Sequence, residues 1–264
     1  MRQIFPVQGD DIPLLTSPAD GPLPAAVVEV ARLYDSPPEA GRWLRANMVA
    51  STDGAASVGG RSGALSGPAD RMIFTILRSL ADLVLVGAGT AIAERYRPAQ
   101  TAGLWTRLRP PGAPPPAIAV VTGRLSIDPT SPLVTGAAPG APTIVITTTS
   151  APADRREALA PHVRLIEAGR DHVDLPSAVA ELTGRGYHRI LCEGGPSLLG
   201  TLSAAGLLDE LCLTISPLIA GGTAGRIITA GSAAGDGAAG PERMRLAHLL
   251  ADDNFLLSRY VRDT

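Results

Sequence analysis

Two short apolar runs constrain this chain most, because each closes on glycine and leads straight into a helical pattern. Residues 83–86 (LVLV) run into Gly87-Ala88-Gly89-Thr90, and residues 189–192 (RILC) run into Glu193-Gly194-Gly195-Pro196. A continuous apolar run of this length suits a strand covered on both faces. Glycine then turns the chain, and proline is tolerated in the first turn of the helix that follows. Similar runs at 117–122 (AIAVVT), 143–148 (TIVITT), 163–166 and 211–215 (LCLTI) read as further strands, with the first strand at 43–50 (WLRANMVA). Helical spacing recurs in Ile73, Ile76, Leu77 and Leu80, in 153–160, in Leu175, Ala178, Val179 and Leu182, and from Pro196 to Gly206. Ser66 is placed to cap the helix that opens at Pro68. This alternation predicts an α/β fold, a mostly parallel central sheet flanked by helices. Residues 243–262 add a C-terminal antiparallel hairpin turning at Ala251-Asp252-Asp253-Asn254.

Other segments lack such periodicity. Residues 1–40 are expected to be an N-terminal arm, irregular except for a short helix at 25–33, which leaves 41–264 as the main domain. Residues 97–116, tipped by PPGAPPP, read as a surface excursion, and 230–240 (AGSAAGDGAAG) as a flexible loop.

Composition narrows the chemistry. All 23 basic residues are arginine, so no lysine is available for a Schiff base, a phosphate-loop ammonium or a general base. The formal charge of −2 gives no bulk attraction to nucleic acid. Cys192 and Cys212 sit in apolar runs and are expected to be buried and reduced. The four histidines form no zinc-hydrolase or zinc-deaminase motif, so no metal is expected. No apolar run approaches the ~18 residues of a membrane span, and no secretory signal is evident, so the expected compartment is the cytoplasm.

Four segments could carry chemistry. Gly87, Gly89 and Thr90 follow a buried strand, where backbone approaches phosphate closely. Ile92 breaks the G-x-G-x-x-G pattern, which disfavours a Rossmann site. Gly194, Gly195 and Pro196 open a second helix whose free first-turn N–H groups suit a pyrophosphate. Glu193 ends a buried strand, so its carboxylate is either paired with Arg189 or another arginine, or placed for function. Asp53-Gly54 opens a long polar loop through Ser62, the kind of loop that forms lids or binding sites. Arg78 lies off its helix's apolar face, as a solvated side chain or a phosphate clamp.

Taken in order, MVASTDG (48–54), LRSLADLVLVGAGT (77–90), CEGGPSLLGTL (192–202) and GLLDELCLTISPLIAGG (206–222) resemble the reductase domain of the riboflavin-pathway deaminase–reductase family. The match spans roughly residues 43–262 and is closest to stand-alone actinobacterial members. The resemblance implies a dihydrofolate-reductase-like fold, NADPH as cofactor and a homodimer. The implied reaction is hydride reduction of 5-amino-6-(5-phosphoribosylamino)uracil to its ribitylamino product. Carried over by motif, Val49 and Ala50 would lie along the nicotinamide, with Gly87, Gly89 and Thr90 also at the cofactor. Thr122 would lie near the adenosine half. Arg124, two residues further on at the strand end, is by its position the candidate to reach the 2′-phosphate. Gly195, Pro196, Ser197, Leu198, Leu199, Gly200 and Thr201 would wrap the diphosphate. Ser62, Arg78 and Glu193 would line the substrate site. Asp53 or Glu193, or a water between them, would protonate the ribose oxygen as its ring opens.

The chain departs from the family in three places. The deaminase domain of bifunctional members is missing, so a reductase alone is expected. Glu94-Arg95-Tyr96-Arg97-Pro98 replaces the D-D-P-x-L-T-x-R segment that helps grip substrate phosphate in many members, and Ala64 replaces a tryptophan found in some. These changes leave two alternatives: a reductase of another pterin-like substrate such as dihydrofolate, and a non-catalytic NADPH-binding protein.

Overall fold

The computed structural model describes residues 1–5, 23, 25–37, 39–99, 107–229 and 241–263. The expected loop at 230–240, residues 6–22 of the arm and residues 100–106 of the 97–116 excursion lie outside these residues. The strands are β1 (Arg2–Phe5), β2 (Trp43–Ser51), β3 (Leu83–Gly87), β4 (Ala117–Val121), β5 (Ile144–Thr147), β6 (Arg164–Glu167), β7 (Arg189–Cys192), β8 (Glu210–Ser216), β9 (Met244–Asp252) and β10 (Phe255–Arg262). Among the described residues they form one sheet in the order β1-β9-β10-β8-β2-β7-β3-β4-β5-β6. Neighbours from β8 to β6 run parallel, and β10, β9 and β1 continue the sheet antiparallel. The predicted α/β architecture and its C-terminal hairpin are both present.

The hairpin turns where expected. Asp253 (φ 43) and Asn254 (φ 65) both take left-handed backbone, which short polar side chains tolerate and which matches the twist of the flanking strands. The 25–33 helix is also present, as Ala25–Leu33. Residues 1–5, however, are not irregular, because Arg2–Phe5 pairs with β9 at the sheet edge. Four residues are too few to show a period-2 pattern in the sequence. Ser66 does not cap the helix Pro68–Leu80 either. Gly67 is the N-cap, and the Ser66 hydroxyl donates to Asp70 Oδ2 at 2.6 Å instead.

The central strands send alternate residues to opposite cores. Val84, Val86, Ile118 and Val120 meet Ile73, Ile76 and Leu77 on one face. Leu83, Leu85, Ala119 and Ile144 meet Ala178, Val179 and Leu182 on the other. Under the Ala25–Leu33 helix, buried Glu210 accepts from Arg45 Nε (2.5 Å), Arg259 (2.9 Å) and Trp43 Nε1 (2.7 Å). Burial raises the Glu210 pKa, but the two guanidiniums outweigh it and hold the carboxyl below its usual range. Arg45 also donates to Tyr34 O and Arg259 to Leu33 O, tying that helix to the sheet.

The order of winding places the site. From β3 the chain winds outward through β4, β5 and β6, then returns to insert β7 between β2 and β3. That reversal opens a crevice beyond the carboxyl ends of β2, β7 and β3, where ligands bind in open α/β sheets.

Candidate active site

The two glycine turns predicted from sequence meet in this crevice. Gly87 N donates to Gly194 O at 2.8 Å, so the ends of β3 and β7 are joined backbone to backbone. A Cβ on Gly195 would lie 2.5 Å from Thr90 Oγ1, so only glycine fits there without displacing the threonine. The Gly194–Gly195 peptide is cis. The helix Pro196–Ala204 then starts with Gly195 at its N-cap and no side-chain cap. Its first intrahelical bond runs from Leu199 N to Gly195 O, so the amides of Ser197 and Leu198 remain available to a ligand.

Two clefts share Gly89, Thr90, Gly195 and Pro196 and so form one continuous groove. The outer cleft, about 420 Å³, is lined by Gly87, Val121, Gly123, Asp171, His172, Ser197, Leu198 and Thr201 as well. The inner cleft, about 580 Å³, adds Asn47, Met48, Val49, Ser62, Asp70, Arg71, Phe74, Glu94, Tyr96, Glu193 and Arg226. Both volumes are in the range of small-molecule sites. Asn47 Oδ1 lies buried with no hydrogen-bond partner among the described residues, on the wall of the inner cleft. An orphaned acceptor in that position suits a ligand donor.

The expected site residues divide by where the fold puts them. Val49, Ser62, Gly87, Gly89, Thr90, Gly195, Pro196, Ser197, Leu198, Thr201 and Glu193 line the groove. Leu199 and Gly200 do not. They are buried on the core side of their helix, because a helix cannot turn every residue to one side. Ala50 is buried beneath the groove, and Gly194 backs it with its carbonyl bonded to Gly87. Thr122 is buried, and its hydroxyl oxygen accepts from Ser126 N at 3.1 Å rather than facing the cleft. Arg124 is exposed beside Gly123 and outside the groove lining.

Glu193 is paired, though not with Arg189, whose Nε donates to Ser36 Oγ at 3.3 Å. Arg78 donates to Glu193 from Nε and Nη2, each at 2.7 Å, and the Tyr96 hydroxyl donates to Oε2 at 2.6 Å. Arg78 is therefore neither a free surface cation nor an open phosphate clamp. Its guanidinium lies over the Phe74 ring at 4.4 Å and over Tyr96 at 5.5 Å, and it lines a side cleft with Ser62, Arg95 and Arg97. Ser62 donates from N and Oγ to Glu94 Oε1 at 2.9 and 3.0 Å.

Asp53 does not fit the acid role expected of it. It lies outside both clefts. Its carboxylate accepts from Ser51 Oγ, Ala220 N (3.0 Å) and Gly221 N (2.8 Å), and the Ser51 bond followed by the two amides holds its pKa down at about 2. A group held there carries no proton to donate near neutrality. Asp53 instead fixes the loop that brings Gly225 and Arg226 to the inner cleft.

Sequence reading missed Asn47 as a site residue, along with Tyr96, Phe74, Arg226 and His172. Two signals were available: Asn47 is a polar residue inside an apolar strand, and Tyr96 lies in the altered 94–98 segment; the others come from loops and helix faces that only folding brings together.

The sequence matches the RibD C-terminal domain family over residues 42–257. The chain belongs to this family. A relative from Methanothermobacter thermautotrophicus, named 2,5-diamino-6-ribosylamino-4(3H)-pyrimidinone 5′-phosphate reductase, is 30% identical over 187 residues, 70% of this chain and 82% of its own length. The riboflavin biosynthesis protein RibD of Bacillus amyloliquefaciens is 28% identical over 183 residues, 69% of this chain but 47% of its own. A solved pyrimidine reductase-like protein from Corynebacterium diphtheriae superposes with a TM-score of 0.74 at 26% identity, covering 88% of this chain and 98% of that one. Membership in the RibD C-terminal domain family thus agrees with both the ordered motifs and the sheet.

Proposed function

We propose that this chain is an NADPH-dependent reductase of a phosphoribosylaminopyrimidine in riboflavin biosynthesis, yielding the ribitylamino product. The observation that carries the reading is the continuous groove at the joined turns of β3 and β7, in a chain whose relative is named as such a reductase. The residues present fit a dinucleotide. The tight Gly195–Thr90 approach and the free amides of Ser197 and Leu198 suit the diphosphate, and Val49 with Asn47 Oδ1 suits the nicotinamide end. A bound nicotinamide supplies the hydride. Exposed Arg124, next to Gly123 at the outer cleft, is the candidate for the 2′-phosphate; Arg124→Ala should lower the preference for NADPH over NADH, and an unchanged ratio would refute it.

Glu193 receives the pyrimidine as an acceptor, with Ser62, Tyr96 and Arg78 around it. Because Asp53 is held low and Glu193 already accepts from Arg78 and Tyr96, a water supplies the proton to the ribose oxygen. The inner wall is rich in acceptors, namely Asn47 Oδ1, Asp70 and Glu193. That favours a second reading of the substrate, the 2,5-diaminopyrimidinone, which presents an amino group where the uracil presents a carbonyl.

In the same reading residues 41–264 are the reductase domain and 1–40 an N-terminal arm. The protein acts in the cytoplasm as a homodimer, supported by the exposed apolar side chains of Leu218 (45%) and Ile219 (83%) beyond β8. No helix among the described residues is long and apolar enough to cross a membrane.

The test is NADPH oxidation with the phosphoribosylaminouracil, the diaminopyrimidinone phosphate and dihydrofolate in parallel. Turnover of either pyrimidine supports the proposal. Turnover of dihydrofolate alone, or NADPH binding without turnover of any of the three, overturns it.

A further inference from the structure

We propose that Tyr96 is a positioning residue that fixes the Glu193 carboxylate, and that the helix end carrying it sets pyrimidine selectivity; this rests on the reductase reading above. The helix Ala88–Ala93 ends on Arg95 in left-handed backbone (φ 53), a position usually left to glycine. Arg95 N bonds back to Ile92 O at 3.2 Å and Tyr96 N to Ala91 O at 2.9 Å, closing a Schellman turn. A side-chain-bearing residue is held in that conformation only where its surroundings over-determine it. Here the turn carries the two flanking side chains to one wall of the inner cleft. Glu94 meets Ser62, and Tyr96 meets Glu193.

Selectivity follows from the acceptor sites that Glu193 has left. A carboxylate offers about four lone-pair positions. The Arg78 fork fills one on each oxygen, and the Tyr96 hydroxyl fills the second on Oε2. One position on Oε1 remains for a substrate donor. The fork sets the plane of the carboxylate and Tyr96 decides which edge stays open. Burial, then the neighbouring Glu193 charge, pushes the Tyr96 phenol well up, so it stays a donor throughout the working pH range. Without the hydroxyl, Oε2 reopens and the carboxylate accepts donors from two directions. A second pyrimidine then fits nearly as well as the first.

Tyr96→Phe tests this. For the preferred pyrimidine KM should rise about 10-fold, and kcat should fall less than KM rises, as expected for a lost charge-assisted hydrogen bond. The ratio of kcat/KM between the phosphoribosylaminouracil and the diaminopyrimidinone should move toward one, while NADPH affinity measured by fluorescence stays unchanged. An unaltered ratio would overturn the proposal, since a merely structural role lowers both substrates equally. A 15N NMR measurement on Arg78 Nε–H, with no pyrimidine present, separates this from failure of the reductase reading. Slow hydrogen exchange in the wild type that is lost in Tyr96→Phe supports the positioning role even in an enzyme that reduces neither pyrimidine, and unchanged exchange refutes it. If Tyr96→Phe does not fold, Arg78→Lys, which keeps charge but loses the fork, should shift the same ratio, and no shift would refute the proposal.

Discussion

Gly195 and Thr90, from turns more than a hundred residues apart in sequence, approach so closely that a Cβ on the glycine would lie 2.5 Å from the threonine Oγ1 but 3.8 Å from its Cβ. The hydroxyl alone therefore excludes a side chain at position 195. Gly195→Ala is expected to weaken NADPH binding about 10-fold, or ~1.4 kcal/mol, by pushing Thr90 into the groove. Gly195→Ala combined with Thr90→Ala should bind no worse than Thr90→Ala alone, because the clashing atom is gone. Fluorescence titration of the four proteins forms a double-mutant cycle, and additive losses would contradict the contact.

Arg78→Met should destabilise the fold by about 2–4 kcal/mol in urea unfolding, since it leaves the Glu193 carboxylate buried beside one neutral donor. The Arg78 side chain is 22% exposed against 2% for Glu193, which places the loss toward the lower end. Adding Glu193→Leu should recover part of that stability while leaving the enzyme inactive. No recovery would mean that Arg78 acts mainly through its packing on Phe74.

Asp53→Asn separates a structural carboxylate from a catalytic acid. The asparagine loses a charged acceptor for Ala220 N and Gly221 N, so the loop bearing Arg226 should loosen and substrate KM should rise. The acid and alkaline limbs of the kcat profile should stay in place. Loss of a limb would make Asp53 the proton donor after all.

Buried His248 provides the pH prediction. Burial first, and then the Arg259 charge, lowers its pKa to about 4. The unfolded chain titrates near ~6.5, so it binds more protons than the folded one between these values. His248 therefore stabilises the fold fully above pH ~6.5, and this contribution, on the order of 3 kcal/mol, is lost as pH falls toward 4. His248→Phe keeps a ring edge-on to Tyr34, where the centroids are 4.7 Å apart. The variant should show a flatter fall in stability across that window. Parallel curves for the two proteins would contradict the assignment.

Much of this protein is determined by local sequence. Strands that must be buried on both faces are written as continuous apolar runs, so β3, β4, β5 and β7 were legible, as was the hairpin from Asp253-Asn254. The glycine turns were legible because only glycine lets backbone approach so closely. What local pattern cannot encode is which face of a helix meets a cleft and which charge meets which partner. That Arg78 rather than Arg189 answers Glu193 and that Tyr96 reaches Glu193 follow from the insertion of β7 between β2 and β3, while Asp53 holds its loop because β2 pairs with β8, and Leu199 and Gly200 turn inward because their helix packs that face on the core. The physical reason is that propensity and hydrophobic period act over a few residues, whereas a buried carboxylate is satisfied by whichever donors the finished topology brings within hydrogen-bonding distance.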